Sequence, residues 1–395
     1  MIGARRPAAL LGILMLASAA SMMATDLYAP SLPFLPGLLG TTPEAAQLTL
    51  SLHLAAYAAG TLLHGPLSDA YGRRPVLLWG MGALAATSLL CAIATGIGEL
   101  ILFRIFQGLA AAAEGVVVLA IIRDAFDGDA QVRALAWYGV ATSVTPALAP
   151  VLGAYLYLWF GWRVTFGVMA AVAFTAGLLI AWGVPESRPV TVRAPRPVAV
   201  VRAYLSLLAD WRYLRHALIG GAAVAVPYVF ATGGPFVVVE HFGLPVPYFG
   251  YLQALLVVCF VAGSLAAGRW AGRAGAARIL GAGVAAFMAG AVLLALAQVS
   301  GRETLAGFSL SLALIAFALG PVFATVPKLT LDATAVDTGA AAALLIALEI
   351  ALGSAGGLLV GSLYDGTSRP MMLTLVVLAT VMGLAFRLGR SGPAR

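Results

Sequence analysis

Twelve apolar runs, each about 20 residues or longer, divide this chain and leave little sequence between them. They fall at 8–37, 45–66, 75–95, 99–123, 131–157 and 163–183, then at 214–239, 246–268, 276–298, 303–327, 338–363 and 370–388. A hydrocarbon core of about 30 Å takes roughly 20 helical residues to cross. Backbone groups in lipid find no water, so each run must close its own hydrogen bonds as a helix. Of the 395 residues 62% are hydrophobic and 10% charged, against about 25% charged in soluble domains. The expected fold class is therefore all-α integral membrane, with twelve transmembrane helices in two six-helix bundles. The expected domains are 1–183, a linker at 184–213 and 214–395.

Charge gives the orientation. With the N-terminus inside, inner segments and their flanks carry nineteen of the 23 Lys and Arg residues. Outer segments carry only Arg163, Arg302 and Arg369, and Arg104 falls within a span. This bias puts both termini in the cytoplasm. The net charge of +7 is spread over span ends, which is a topology signal and not a nucleic-acid surface. Arg5-Arg6, an apolar run and Ala17-Ser18-Ala19 look like a signal peptide, but the run continues to about Leu39 and is read as an uncleaved first span. The linker holds Pro185, Pro189, Pro195 and Pro197, with a short amphipathic helix expected near Ala199–Ala209. Cys91 and Cys259 lie in apolar runs and read as packed thiols.

Gly65-Pro-Leu-Ser-Asp-Ala-Tyr-Gly-Arg-Arg-Pro75 reads as a charged, Gly-rich connection between the second and third runs. A degraded copy recurs as Gly268-Arg-Trp-Ala-Gly-Arg-Ala-Gly-Ala-Ala-Arg278, pairing Gly65 with Gly268 and Gly72 with Gly275. Both copies stand between the second and third runs of their half, so the chain is a tandem. Prolines interrupt span 1 (Pro30, Pro33, Pro36), span 5 (Pro146, Pro150), span 7 (Pro227, Pro235) and span 10 (Pro321, Pro327). They read either as kinks or as breaks that line a pathway. Gly353, Gly357 and Gly361 in span 11, and Gly108 with Ala110–Ala113 and Gly115 in span 4, read as small faces for close helix packing.

A charge inside the bilayer costs several kcal/mol, so those that persist are usually functional. The intramembrane set is Asp26, His53, Arg104, Glu114 and Glu349. Asp26 reads as a proton carrier or as a cap on the broken end of span 1. Arg104 is a fixed cation or a snorkelling side chain, with Gln107 one turn on. Glu114 lies ten residues beyond Arg104, about 15 Å along one helix, too far to pair. It is a second proton carrier, an anchor for a cationic substrate, or a buried hydrogen-bonded acid. His53 is a cavity residue or a packing residue. Tyr28, Tyr57, Trp137, Tyr138, Tyr228, Phe230, Phe317 and Phe323 could wall an aromatic cavity. No phosphate loop, catalytic triad or metal cluster is present in the sequence, and neither enzyme activity nor a cofactor is expected.

The connection motif in this position resembles that of the major facilitator superfamily. Thr25-Asp26-Leu27-Tyr28-Ala29-Pro30, Arg104-Ile-Phe-Gln107-Gly108 and Ala149-Pro150-Val-Leu-Gly153 followed by Gly161-Trp162-Arg163 resemble its proton-coupled drug exporters. The set is most similar to the bicyclomycin/chloramphenicol-resistance branch. The resemblance implies a monomeric drug:proton antiporter of the bacterial inner membrane, driven by the proton gradient and working by alternating access. The alternative is a proton-coupled exporter or symporter of a metabolite such as an amino acid or sugar. The resemblance makes Arg104 the fixed cation that tunes the acid, and with the residue readings of Asp26 and Glu114 above this gives Asp26, Arg104 and Glu114 as the proton-coupling candidates. The residues themselves, three candidate carboxylates against one Arg, suggest a cavity for a neutral, zwitterionic or cationic amphiphile, with Tyr28, His53, Gln107, Tyr138, Tyr228, Phe230 and Glu349 as its candidates. A conformational latch is implied at Gly65, Asp69, Gly72, Arg73, Arg74 and Arg123, engaging Asp337-Thr338-Gly339, and a hinge at Pro146, Pro150 and Gly153. Glu114 and Glu349 depart from the family pattern.

Overall fold

The computed structural model describes residues 7–187, 197–301, 303–334, 336 and 338–388. Every regular element among them is helical. The first unit, Met1–Pro197, contains α1 (Pro7–Asp26), a 3-10 segment (Ala29–Phe34), α2 (Leu35–Leu39), α3 (Pro43–Tyr71), α4 (Arg73–Ile93), α5 (Ile97–Ala125), α6 (Gly128–Phe160) and α7 (Trp162–Gly183). The second, Val198–Arg395, follows with most of α8 (Pro197–Ala209), then α9 (Trp211–Phe236), a π turn (Val237–His241), α10 (Pro247–Ala274), α11 (Ala276–Val299), α12 (Leu305–Leu331), α13 (Thr338–Ser362) and α14 (Arg369–Leu388).

Several helices outrun their apolar cores. α6 has 33 residues and α3 and α5 have 29, or roughly 45–50 Å of helix, so their ends project past the hydrocarbon. Among the described residues, eleven helices are long and apolar enough to cross a membrane. The expected span absent from that set is α3, and its composition explains why: it buries Gln47, Thr49, Ser51 and His53 among its apolar residues.

Both units use the same packing plan. In the first, α1 packs on α5, α6 and α7, α3 packs on α5, and α4 packs on α5 and α7. In the second, α9 packs on α12, α13 and α14, α10 on α12, and α11 on α12 and α14. The tandem repeat is thus a repeat of contacts as well as of sequence. Small residues set the distances. A Cβ on Gly108 would stand 2.1 Å from the His53 carbonyl oxygen where α5 crosses α3, and one on Gly320 would stand 2.2 Å from the Ser264 nitrogen where α12 crosses α10. Gly353 and Gly356 lie against Tyr228 and Val229 of α9, the packing role expected of that stripe.

Two expectations need correction. The Gly65–Tyr71 stretch is not a loop. It is the last two turns of α3, and the connection to α4 is the single residue Gly72, at φ +98°. Gly275 does the same between α10 and α11 at φ +76°. Second, the prolines of spans 5, 7 and 10 do not interrupt their helices, since α6, α9 and α12 run through them. Only span 1 breaks, because three prolines within seven residues remove too many N–H donors for an α-helix. Cys91 and Cys259 are both free thiols, as their place in apolar runs led us to expect. Part of the expected linker, 188–196, lies outside the described residues.

Candidate functional site

The break in span 1 creates the site. α1 stops at Asp26 and leaves the terminal carbonyls unpaired within the helix. Arg104, fully buried on α5, fills that gap. Its Nη1 donates to the Ala24 carbonyl at 2.6 Å and also to Gln107 Oε1, and its Nε donates to the Thr49 carbonyl at 3.3 Å. The guanidinium lies 4.9 Å from the centroid of Tyr28 and 5.9 Å from that of Phe166. Among the described residues no carboxylate stands within 4.0 Å of it. The negative end of α1 and two ring faces stand in for a counter-ion. Nη2 is buried with no hydrogen-bond partner.

Neighbouring side chains hold this cation in place. Gln107 Nε2 donates to Ser88 at 2.7 Å, and Tyr28 shares a 2.9 Å hydrogen bond with Thr49. His53 Nδ1 is 3.2 Å from the Arg104 carbonyl, while its Nε2 is buried without a partner. The buried placement of Arg104 excludes the snorkelling alternative. Asp26 is 9% exposed and its carboxylate makes no hydrogen bond or ion pair among the described residues. It therefore does not cap the broken end of span 1.

Glu114 lies in a second polar cluster. Ser18 of α1 donates to its Oε1, and the hydroxyls of Ser21 and Tyr138 also reach it. The carboxylate is 2% exposed. Glu349, in the second unit, is half-buried. Its Oε1 occupies the space beside Gly220, 2.6 Å from where a Cβ there would be. Phe230 is buried and stacked on Phe249 at 5.2 Å, and Tyr228 packs on Gly353. Both belong to the helix packing of the second unit. Gly153 of α6 presses on the chain break itself, since a Cβ there would be 2.1 Å from the Leu27 carbonyl oxygen. Pro146 and Pro150 lie on the same helix. Arg163 donates to the Ala94 carbonyl at 2.9 Å and so closes the end of α4.

The connection motif forms a charged knot. Arg73 bonds Asp69 at 2.8 Å, Ser68 at 2.6 Å and Asp124 at 3.4 Å. Arg74 donates to the Ala181 carbonyl. The centre of the knot is a residue the sequence reading missed. Glu186, just after α7, accepts from the Arg73 backbone N–H at 2.9 Å and the Arg74 N–H at 3.1 Å. It caps α4 across the chain, a non-local contact that only its place after the sixth span could have hinted at. Arg123 is exposed and its side chain bonds none of these groups, so the adjacent Asp124 takes the place expected of it. Gly65 is in ordinary contact, 3.7 Å from Val116. Asp337 lies outside the described residues, as do the side chains of Thr338 and Gly339. A cleft of about 690 Å³ opens beside the knot, lined by Asp69, Tyr71, Arg74, Trp79 and Glu186, and none of the Arg104 cluster lines it. Among the described residues, no group of three or more His, Cys, Asp or Glu side chains converges to hold a metal.

Comparison with known proteins agrees with this architecture. Residues 14–342 match the family model described as Major Facilitator Superfamily. The chain is 31% identical over 362 residues to the chloramphenicol resistance protein of Pseudomonas aeruginosa, covering 90% of this chain and 85% of that one. It is 27% identical over 371 residues to a bicyclomycin resistance protein homolog of Haemophilus influenzae, covering 91% of each. These relatives match the branch that the motifs resemble. Among solved structures it is similar to the human organic anion transporter MFSD10, with a TM-score of 0.72, 20% identity and coverage of 97% and 99%. A multi-pass helical fold, the twice-used packing plan and a match across most of the chain lead to one assignment: the chain belongs to the major facilitator superfamily and is a membrane transporter, not an enzyme.

Proposed function

We propose that this transporter is a drug:proton antiporter that exports amphiphilic compounds from the bacterial cytoplasm by alternating access. The names of its relatives, a chloramphenicol resistance protein and a bicyclomycin resistance homolog, support the substrate class. The observation that carries the reading is the Arg104 site. A permanent cation is buried without a counter-ion, with one donor, Nη2, left over. An acid with no partner of its own, Asp26, ends the helix whose carbonyl that cation binds. A carboxylate that finds no partner in one state and a donor that finds none in the same state are complementary parts. Asp26 takes up a proton from outside, releases it inside, and in its charged form seeks the free donor of Arg104.

Tyr28, His53 and Gln107 position the cation and stand beside the substrate path. Tyr138 is a further candidate in the first unit and Glu349 in the second, where Tyr228 and Phe230 hold the helices that carry it. The Asp69, Gly72, Arg73, Arg74, Asp124 and Glu186 knot, with Gly65 on the preceding turn, stays on the inner face and steadies the ends of α3, α4 and α5 as the protein changes state. α6, carrying Pro146, Pro150 and Gly153, is the helix that flexes. The protein acts as a monomer, with both termini inside, and uses no cofactor beyond the proton gradient.

The test is proton flux in inverted membrane vesicles on addition of phenicols, bicyclomycin or cationic dyes. A compound should dissipate the pH gradient with the wild-type protein and not with Asp26→Asn. If no compound moves protons, the exporter reading falls and a metabolite carrier takes its place.

A further inference from the structure

Among the described residues Glu114 is the most deeply buried carboxylate, and its hydrogen-bond partners can turn over. Ser18 has a single hydroxyl proton and two acceptors in reach, the Leu14 carbonyl at 3.1 Å and Glu114 Oε1. Ser21 lies beside the same acid and donates to the Ala111 carbonyl at 3.1 Å. Tyr138 of α6 contacts both Ser18 and Glu114. A hydroxyl can donate and accept, whereas a carboxylate only accepts and a carboxylic acid also donates. When Glu114 is charged, Ser18 and Tyr138 donate to it. When it carries a proton, it donates to Ser18, and Ser18 turns to the Leu14 carbonyl. Both states are fully hydrogen-bonded with no movement of the backbone.

The groups facing Glu114 carry no fixed charge. From α1 they are Ser18 and Ser21. From α6 the titratable neighbour is Tyr138, itself next to Tyr57 of α3. Among the described residues no Arg, Lys or His nitrogen lies within 4.0 Å. No cation holds Glu114 in its charged form, and hydroxyl neighbours that can both donate and accept serve either form of the acid. Tyr138 is half-buried and is the way out for the proton.

We infer that Glu114, with Ser18, Ser21 and Tyr138, forms a second proton-carrying site, separate from Asp26 and Arg104, so that each transport cycle exchanges two protons for one substrate molecule. This rests on the antiport reading above. The chemistry balances: the Glu114 O–H gives its proton to water on the inner side, the charged carboxylate accepts from Ser18 and Tyr138, and the bond re-forms with a proton from the outer side. For a monovalent organic cation leaving the cell, two protons entering move one net positive charge inward. Its export is then driven by the membrane potential as well as by the pH gradient.

Two measurements test this. In the first, the purified full-length protein in lipid nanodiscs is titrated with pH while the carboxyl infrared bands are recorded. A protonated-carboxyl band should titrate in the wild type and in Asp26→Asn, vanish in Glu114→Gln, and shift its midpoint in Ser18→Ala, which keeps the acid. Carboxyl bands in Glu114→Gln that match those of the wild type would overturn the inference. In the second, proteoliposomes transport tetraphenylphosphonium under an imposed potential with no pH gradient. Wild-type transport should respond and Glu114→Gln should not, its exchange being one proton for one cation. A retained response would overturn the inference as well. If no variant transports the cation, the antiport reading fails, and the infrared measurement still decides whether Glu114 exchanges a proton.

Discussion

The Glu186 carboxylate occupies the space that any side chain on Gly72 would need. A Cβ there would stand 2.6 Å from Oε2, and the backbone is at φ +98° and ψ 154°, a region costly for any other residue. The one-residue joint between α3 and α4 and the carboxylate that caps α4 thus require each other.

Gly72→Ala should therefore lose about 1–3 kcal/mol from backbone strain, with the collision added. Glu186→Ala should lose about 1 kcal/mol as a missing N-cap. The double variant should lose less than the sum, because the collision is gone. Melting temperatures of the four proteins in detergent check this. Strict additivity would mean that Glu186 swings away at no cost.

Close helix crossings predict a sharper contrast. In Gly108→Ala and Gly153→Ala the new Cβ meets a backbone carbonyl at 2.1 Å, which cannot move aside as a side chain can. Both should fail to accumulate in the membrane or melt far below the wild type. Gly82→Ala has nothing within 4 Å and should stay within about 0.5 kcal/mol of it. Membrane yield and thermal melting of the three variants decide the matter.

Arg104→Lys keeps the charge but loses the fork that reaches Ala24, Thr49 and Gln107 together. Drug-driven proton flux should fall at least tenfold while the protein still folds. Arg104→Ala also orphans the Ala24 carbonyl and leaves a cavity, at a cost of several kcal/mol. Melting and flux measured on both variants separate the two effects. Wild-type flux in Arg104→Lys would remove Arg104 from coupling.

Asp26→Asn should abolish substrate-driven proton movement while leaving substrate binding within about tenfold, since it removes the proton and keeps the shape. Asp26→Glu should retain part of the flux. Equilibrium binding and vesicle pH on the same preparations give the split, and loss of both in Asp26→Asn would make Asp26 a binding residue.

Much of the fold was legible because lipid leaves the chain few options: twelve apolar runs became twelve long helices, and the repeat of Gly72 at Gly275 became a repeat of joints. The helix breaks were less so. Proline counts alone left kinks or breaks open in spans 5, 7 and 10, where the helices run through one or two missing donors. Only the cluster Pro30, Pro33 and Pro36 exceeds that capacity. Of the site, the ionisable residues stood out against an apolar background. Their partners did not, because Ala24, Ser18 and Glu186 are unremarkable in sequence and gain their roles only through contacts 80 to 113 residues away.

The polar face of α3 bears on how the chain is assembled. α3 leaves the ribosome before α5, the helix it packs along and the one whose Arg104 binds the Thr49 carbonyl. A helix carrying Gln47, Thr49, Ser51 and His53 enters lipid less readily than its apolar neighbours, because polar side chains cost free energy in hydrocarbon. α5 offers that span a packing partner and bonds His53 through the Arg104 carbonyl, so we expect the second and fourth spans to settle in the bilayer together. Nascent chains truncated after α4 would leave α3 at the membrane surface, and chains truncated after α5 would carry it across.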